Sequence, residues 1–160
     1  MTFLEEVAAA LEAAGRAVDV DPDTATIDVA DDAVGRVLAV VRPVARAVTL
    51  YAVHPRTVPA DGLGPVGELT LRATADLLDA ALELDLATGA VAARFPVVLG
   101  GLEADTEVLG DLLGTALEIV VSTLQRYTEA IDDVGAGRVD ARTAAVAVRT
   151  APVEELTFEL

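Results

Sequence analysis

The chain has 160 residues, 53% of them hydrophobic and only 3% aromatic, and 27 acidic against 11 basic side chains give it a net charge of −16. That length suits one ordinary domain with a core of its own, and the apolar fraction excludes a disordered chain. A field of that sign repels phosphate backbones and anionic bilayers, so neither nucleic acid nor a membrane is the expected direct partner; the lack of Cys excludes disulfides, thiolate metal sites and a cysteine nucleophile.

Residues 2–14 read as a helix. Phe3, Val7, Leu11 and Ala14 fall at helical spacing, Thr2 is a suitable N-cap and Gly15 a suitable stop. The opening Phe3-Leu4-Glu5-Glu6 is acidic where a signal peptide is basic. From Arg16 the period shortens. Val18 and Val20 alternate with polar residues, Asp21-Pro22-Asp23-Thr24 signals a turn, and Ala25 to Val29 alternates again. Two apolar runs follow, Val34 to Val41 and Val44 to Val53, divided at Arg42-Pro43. They read as two more buried strands of a four-stranded meander. Arg36, Arg42, Pro43 and Arg46 interrupt this stretch, so it is not a membrane span of about 20 apolar residues. A cytoplasmic protein is the expectation.

After His54-Pro55 a loop leads to a second helix, opened by Pro65 and ending near Leu78, with Val66, Leu69, Ala73 and Leu77 on one face. A hairpin comes next: Ala81 to Leu86, a turn at Ala87-Thr88-Gly89, and a return from Ala90 to Leu99. The longest element is a helix from Asp105 to about Asp133. Leu109, Leu113, Ala116, Val120, Leu124, Tyr127, Ile131 and Val134 form its stripe, and Val108, Leu112, Leu117 and Val121 widen it. Part of so long a stripe is available to a second copy of the chain, giving a homodimer. Gly135-Ala136-Gly137 ends the helix. The expected domain therefore covers residues 1–134, and 135–160 form an extension with a short helix and an acidic, apolar tail. The order α-β-β-β-β-α-β-β-α predicts an α+β fold, a mainly antiparallel sheet with helices packed on it.

The chemical inventory is thin. There is one His, one Ser and no Lys. Ser122 and His54 are the only pair for a Ser–His–acid triad, and Ser122 falls mid-helix with no sharp turn to present it. Asp19, Asp21 and Asp23 have the spacing that opens a calcium loop, but Thr24 and Ala30 stand where that loop needs Gly and Glu; an acidic turn explains them. Neither a metal nor a cofactor is expected. Gly62-Leu63-Gly64-Pro65-Val66-Gly67 matches G-x-G-x-x-G before a helix, and Asp85 follows at about the distance a dinucleotide's ribose requires. A nucleotide-binding sensor or oxidoreductase using Gly62, Gly64, Gly67 and Asp85 is therefore an alternative reading. A Gly/Pro-rich entry to a helix is the plainer one.

The stretch from Val48 to Ile131 resembles the YbjN family, proposed regulators of bacterial sensory transduction with a fold like the type III secretion chaperones. The resemblance begins at Val48-Thr49-Leu50-Tyr51-Ala52-Val53 and passes through Val58-Pro59, Glu68 and Arg72-Ala73. It is fullest at Leu82-Glu83-Leu84-Asp85, Thr88-Gly89 and the strand through Arg94. It ends at Gly101-Leu102, Asp105 and Gln125-Arg126-Tyr127. Thr74 stands where the family tends to have Asn, Leu82 where it has Phe, and Ala92 or Ala93 where it has an aromatic. The resemblance implies a non-catalytic protein, and a sheet backed by helices is expected to recognise a segment of another protein. Arg42, Arg46, Tyr51, Arg72, Arg94 and Tyr127 are the candidate contacts for strand addition or an apolar groove. A structural subunit that docks through Val153-Glu154-Glu155-Leu156-Thr157-Phe158 is a further alternative.

Overall fold

Thr2 starts the first helix by reciprocal capping. Its hydroxyl accepts from the Glu5 amide at 3.3 Å, and the Glu5 carboxylate accepts from the Thr2 amide at 2.6 Å. In the computed structural model, which describes residues 1–150, this helix (α1, Phe3–Ala13) buries Phe3, Leu4, Val7, Ala10 and Leu11 and stops before Gly15 at φ +82. The next four elements are strands: β1 (Val18–Asp21), β2 (Thr26–Val29), β3 (Arg36–Arg42) and β4 (Ala47–Val53), each antiparallel to the one before. The apolar run divides at a turn that takes residues 43–46, wider than the Arg42-Pro43 break that the sequence marks.

A short 3-10 turn (Ala60–Gly62) then leads into α2 (Leu63–Asp76). The hairpin β5 (Ala81–Leu84) and β6 (Val91–Val98) does not continue the meander at its end. β6 inserts beside β4, and the six-stranded sheet has the order β1-β2-β3-β4-β6-β5. Because β6 is antiparallel to both neighbours, β4 and β5 run in the same direction with β6 between them. The long helix α3 (Thr106–Gly135) is capped by Asp105, whose carboxylate accepts from the Val108 amide at 2.9 Å. Its stripe of Leu109, Leu113, Leu117, Val120, Leu124 and Ile131 joins Ile27, Leu50, Ala52 and Ala93 of the sheet in one continuous core.

The fold is thus α+β, with an antiparallel sheet and helices packed against it. A final helix, α4 (Ala141–Thr150), packs on α2 and α3 and adds Ala141, Ala144 and Ala145 to the same core. Its end is fastened by an ion pair between Arg149 and Asp76 at 2.9 Å and by the Arg126 guanidinium donating to the Val148 carbonyl at 3.0 Å. Residues 135–150 of the expected extension therefore share the core of the preceding domain. The tail beyond them, including Val153 to Phe158, lies outside the described residues. Among the described residues no helix is long and apolar enough to cross a membrane.

Candidate partner-binding surface

Strand side chains alternate between the two faces of a sheet. One face carries Ile27, Val37, Ala39, Leu50, Ala52 and Ala93, all buried in the core. On the opposite face the register brings Asp28, Leu38, Tyr51, Arg94 and Ala81 into one row across five strands. The next row is Thr26, Val40, Thr49 and Pro96. Leu38, Val40, Tyr51 and Val53 are only half-buried and stand outside the core cluster, and Arg94, Pro96 and Val98 are exposed. This outer face is an apolar strip with charges at its borders. Arg36 grips Asp28 through two hydrogen bonds of 2.6 and 2.9 Å, and that contact holds the Asp28 carboxyl below its ordinary range. Arg94 pairs with Glu83 at 2.9 Å.

Of the six candidate contacts, Tyr51 and Arg94 come together as direct cross-strand partners on this face. Arg42, exposed at the end of β3, lies on the same face at its border, in the row with Ala47 and Val98. The other three do not join them. Arg46, in the turn before β4, folds back on α1: its guanidinium lies 4.8 Å from the Phe3 ring centre and 3.4 Å from the Glu6 carboxylate. Arg72 pairs with Glu68 one turn earlier on α2, at 2.7 Å. Tyr127 is 2% exposed and belongs to the core, because it falls on the inward stripe of α3; burial also raises the pKa of its hydroxyl. It offers no contact to a partner.

The Gly62–Gly67 segment is explained by packing. A Cβ at Gly62 would stand 2.6 Å from the Gly135 carbonyl, so only glycine lets the start of α2 approach the end of α3 this closely. A dinucleotide loop needs a strand leading directly into it and an adjacent parallel strand after the helix. Here residues 54–59 intervene after β4, and β6 separates β4 from β5. Asp85, the expected ribose ligand, spends its carboxylate on the hairpin turn, accepting from the Ala87 amide and the Thr88 hydroxyl at 2.8 Å each; these bonds lower its pKa. The Asp19–Asp23 segment is likewise a turn, with Asp21 accepting from the Asp23 amide at 2.9 Å. Ser122 donates to the Ile119 carbonyl within α3, and it lies roughly 15 Å along the helix from the level of His54's partner, Asp132.

One cluster has no counterpart in the sequence motifs. His54, 5% exposed at the end of β4, places Nδ1 2.9 Å from the Arg56 carbonyl and Nε2 3.4 Å from Asp132 of α3. Nε2 makes no hydrogen bond among the described residues. The Arg56 guanidinium binds both oxygens of the same Asp132 carboxylate. These three residues border an open cavity of about 390 Å³ together with Thr57, Val58 and Arg138. The cluster ties the loop after β4 to the C-terminal part of α3. The sequence separation between Arg56 and Asp132, 76 residues, hides it from any local pattern.

No protein-family model and no curated protein matches the sequence. Among solved structures, the chain is similar to YbjN from E. coli, described as a candidate transcription regulator. The two share 10% sequence identity with a TM-score of 0.64, over 79% of this chain and 92% of that one. An all-antiparallel sheet with its helices on one side, matched over nearly the whole of that structure, establishes that this chain has the YbjN fold.

Proposed function

We propose that the protein is a non-catalytic regulatory module that binds a segment of a partner protein on the outer face of its sheet. The observation that carries this reading is the uncovered strip centred on Leu38 and Tyr51, with Arg94 at its rim. A sheet face that carries half-buried aliphatics and a Tyr in a single row has the composition of a recognition surface: apolar at the centre, charged at the rim. Tyr and Arg are also the side chains that most often carry interface energy. The regulator description attached to the structurally similar E. coli protein is compatible with this role. Among the described residues the interior offers no comparable arrangement for chemistry: the buried His54 is held between a backbone carbonyl and a carboxylate that is already ion-paired.

The test compares the native chain with a Tyr51→Ala/Arg94→Ala variant. Both are used to capture partners from native lysate at low and at multimolar salt, and the captured protein is then titrated in purified form. The expected result is one stoichiometric partner whose affinity falls at least about tenfold with the variant, at unchanged melting temperature. A partner that binds both forms equally, or no partner in either salt, would remove the reading.

A further inference from the structure

The two edges of the sheet differ in whether they can accept another strand. An edge recruits a strand only where its outward N–H and C=O groups are free. At the β5 edge, the backbone bond from Asp85 to Ala90 fixes which residues of β5 are bonded to β6 and turns Leu82 and Leu84 outward. Leu82 is already satisfied there: the Thr74 hydroxyl of α2 accepts from its N–H and donates to its C=O, both at 3.0 Å. Helix α2 thus packs along β5 and caps this edge at Leu82.

The β1 edge is open. The Ala30 amide donates to the Ala17 carbonyl at 2.9 Å, which sets Ala17, Asp19 and Asp21 as the residues bonded to β2. The N–H and C=O groups of Val18 and Val20 then point away from the sheet, and among the described residues no backbone group caps them. The side chains beside this edge are acidic. Asp19 and Asp21 lie on the outer face. A cleft of about 470 Å³ next to β1 is lined by Asp19, Asp28, Asp31 and Asp32. Arg36 and Arg16 engage Asp28 and Asp31, while Asp19 and Asp32 have no ion-pair partner among the described residues.

We infer that the partner seated on the outer face also contributes an extended segment that enters as a seventh strand on β1, with Arg or Lys at alternate positions. The alternation follows from the pleat: every second side chain of an added strand lies on the outer face beside Asp19 and Asp21. A second copy of this chain is the wrong occupant, since pairing two β1 edges would set these carboxylates against one another. This inference rests on the binding-module reading and names the edge and the partner chemistry.

The test uses the full chain and two synthetic peptides of identical composition, one with Arg and Val alternating and one with them in blocks. Binding is titrated at physiological salt, and amide exchange is followed at Val18 and Val20. The alternating peptide should bind about tenfold tighter and slow exchange at those two amides. Val20→Pro removes an outward N–H while leaving the bonds to β2, a change edge strands tolerate, and should abolish that preference. The charge reversal Asp19→Arg leaves the backbone and the Asp21-capped turn intact and should abolish it as well, which covers the case in which the proline variant fails to fold. Equal binding of both peptides without slowed exchange, or an unchanged preference in either variant, would overturn the inference. If the native partner is lost with Tyr51→Ala/Arg94→Ala yet retained with Val20→Pro, the edge assignment falls and the binding module stands.

Discussion

Leu50 and Tyr51 are consecutive residues of β4, yet one is 0% exposed beneath the helices and the other is half-buried on a face no described helix covers. The same contrast runs along β3, where Val37, Ala39 and Val41 are buried and Leu38 and Val40 only partly so. In the middle of β3 and β4 both faces are therefore apolar, yet they differ in what they contribute. The inner face supplies the hydrophobic stabilisation of the fold. The outer face keeps apolar surface that nothing in the described chain uses. Truncating neighbours in one strand separates these roles. Leu50→Ala should destabilise the protein by about 3 kcal/mol, through lost transfer energy and a cavity beneath α3. Tyr51→Ala should cost less than about 1 kcal/mol, as surface changes do. Urea denaturation of both variants checks this. A Tyr51→Ala loss as large as that of Leu50→Ala would mean that the outer face is covered in solution and would break the contrast.

The edges sharpen the same contrast, because β5 is capped at Leu82 by a single hydroxyl. Thr74→Val keeps the shape of the side chain and leaves the Leu82 N–H and C=O without their partner. Two lost hydrogen bonds at a partly buried site should cost about 1–2 kcal/mol. Thr74→Ser, which retains the hydroxyl, should recover most of it. The valine variant should also self-associate with rising concentration, since an uncapped edge is a template for pairing. Sedimentation velocity over a range of concentrations reads this directly. A valine variant that associates no more than the native chain would show that α2 blocks the β5 edge by its bulk and not through Thr74.

The helices were legible because their signals are local. The Thr2 and Asp105 caps and the 3.6-residue stripe of α3 locate those elements to within two or three residues. The sheet was legible as strands but not as faces. Leu38, Val40 and Val53 of the outer face are as apolar as the inner residues beside them, so β3 and β4 read as more buried than β1 and β2, with no sign that one side is open. Tyr127 was misplaced for a related reason: an aromatic residue on a helical stripe looks the same whether the stripe meets a core or a partner. The insertion of β6 beside β4, the approach of Gly62 to Gly135 and the His54–Asp132–Arg56 cluster all join distant parts of the chain. No spacing rule connects them. The short helix after Gly137 was visible, but its three buried alanines were too small to mark it as part of the core.

The smallest expected effect lies in the turns of the two N-terminal hairpins. The β1–β2 and β3–β4 turns each end on a residue other than glycine in the left-handed region, Ala25 at φ +53 and Arg46 at φ +44. That conformation costs an L-residue about 1–2 kcal/mol, while glycine, which escapes the clash, loses roughly 0.5–1 kcal/mol more chain entropy on folding. At Ala25 the methyl group has no visible role to offset the strain, so Ala25→Gly should stabilise the protein by about 0.5 kcal/mol. At Arg46 the side chain lies over Phe3 and beside Glu6, joining the turn to α1. Arg46→Gly relieves the same strain and forfeits that clasp, and should destabilise the protein by about 0.5–1 kcal/mol net. Paired urea midpoints would show opposite signs for the two glycines. Equal stabilisation at both would mean that the Arg46 clasp contributes nothing in solution, and would leave the open end of the sheet held to α1 by apolar packing alone.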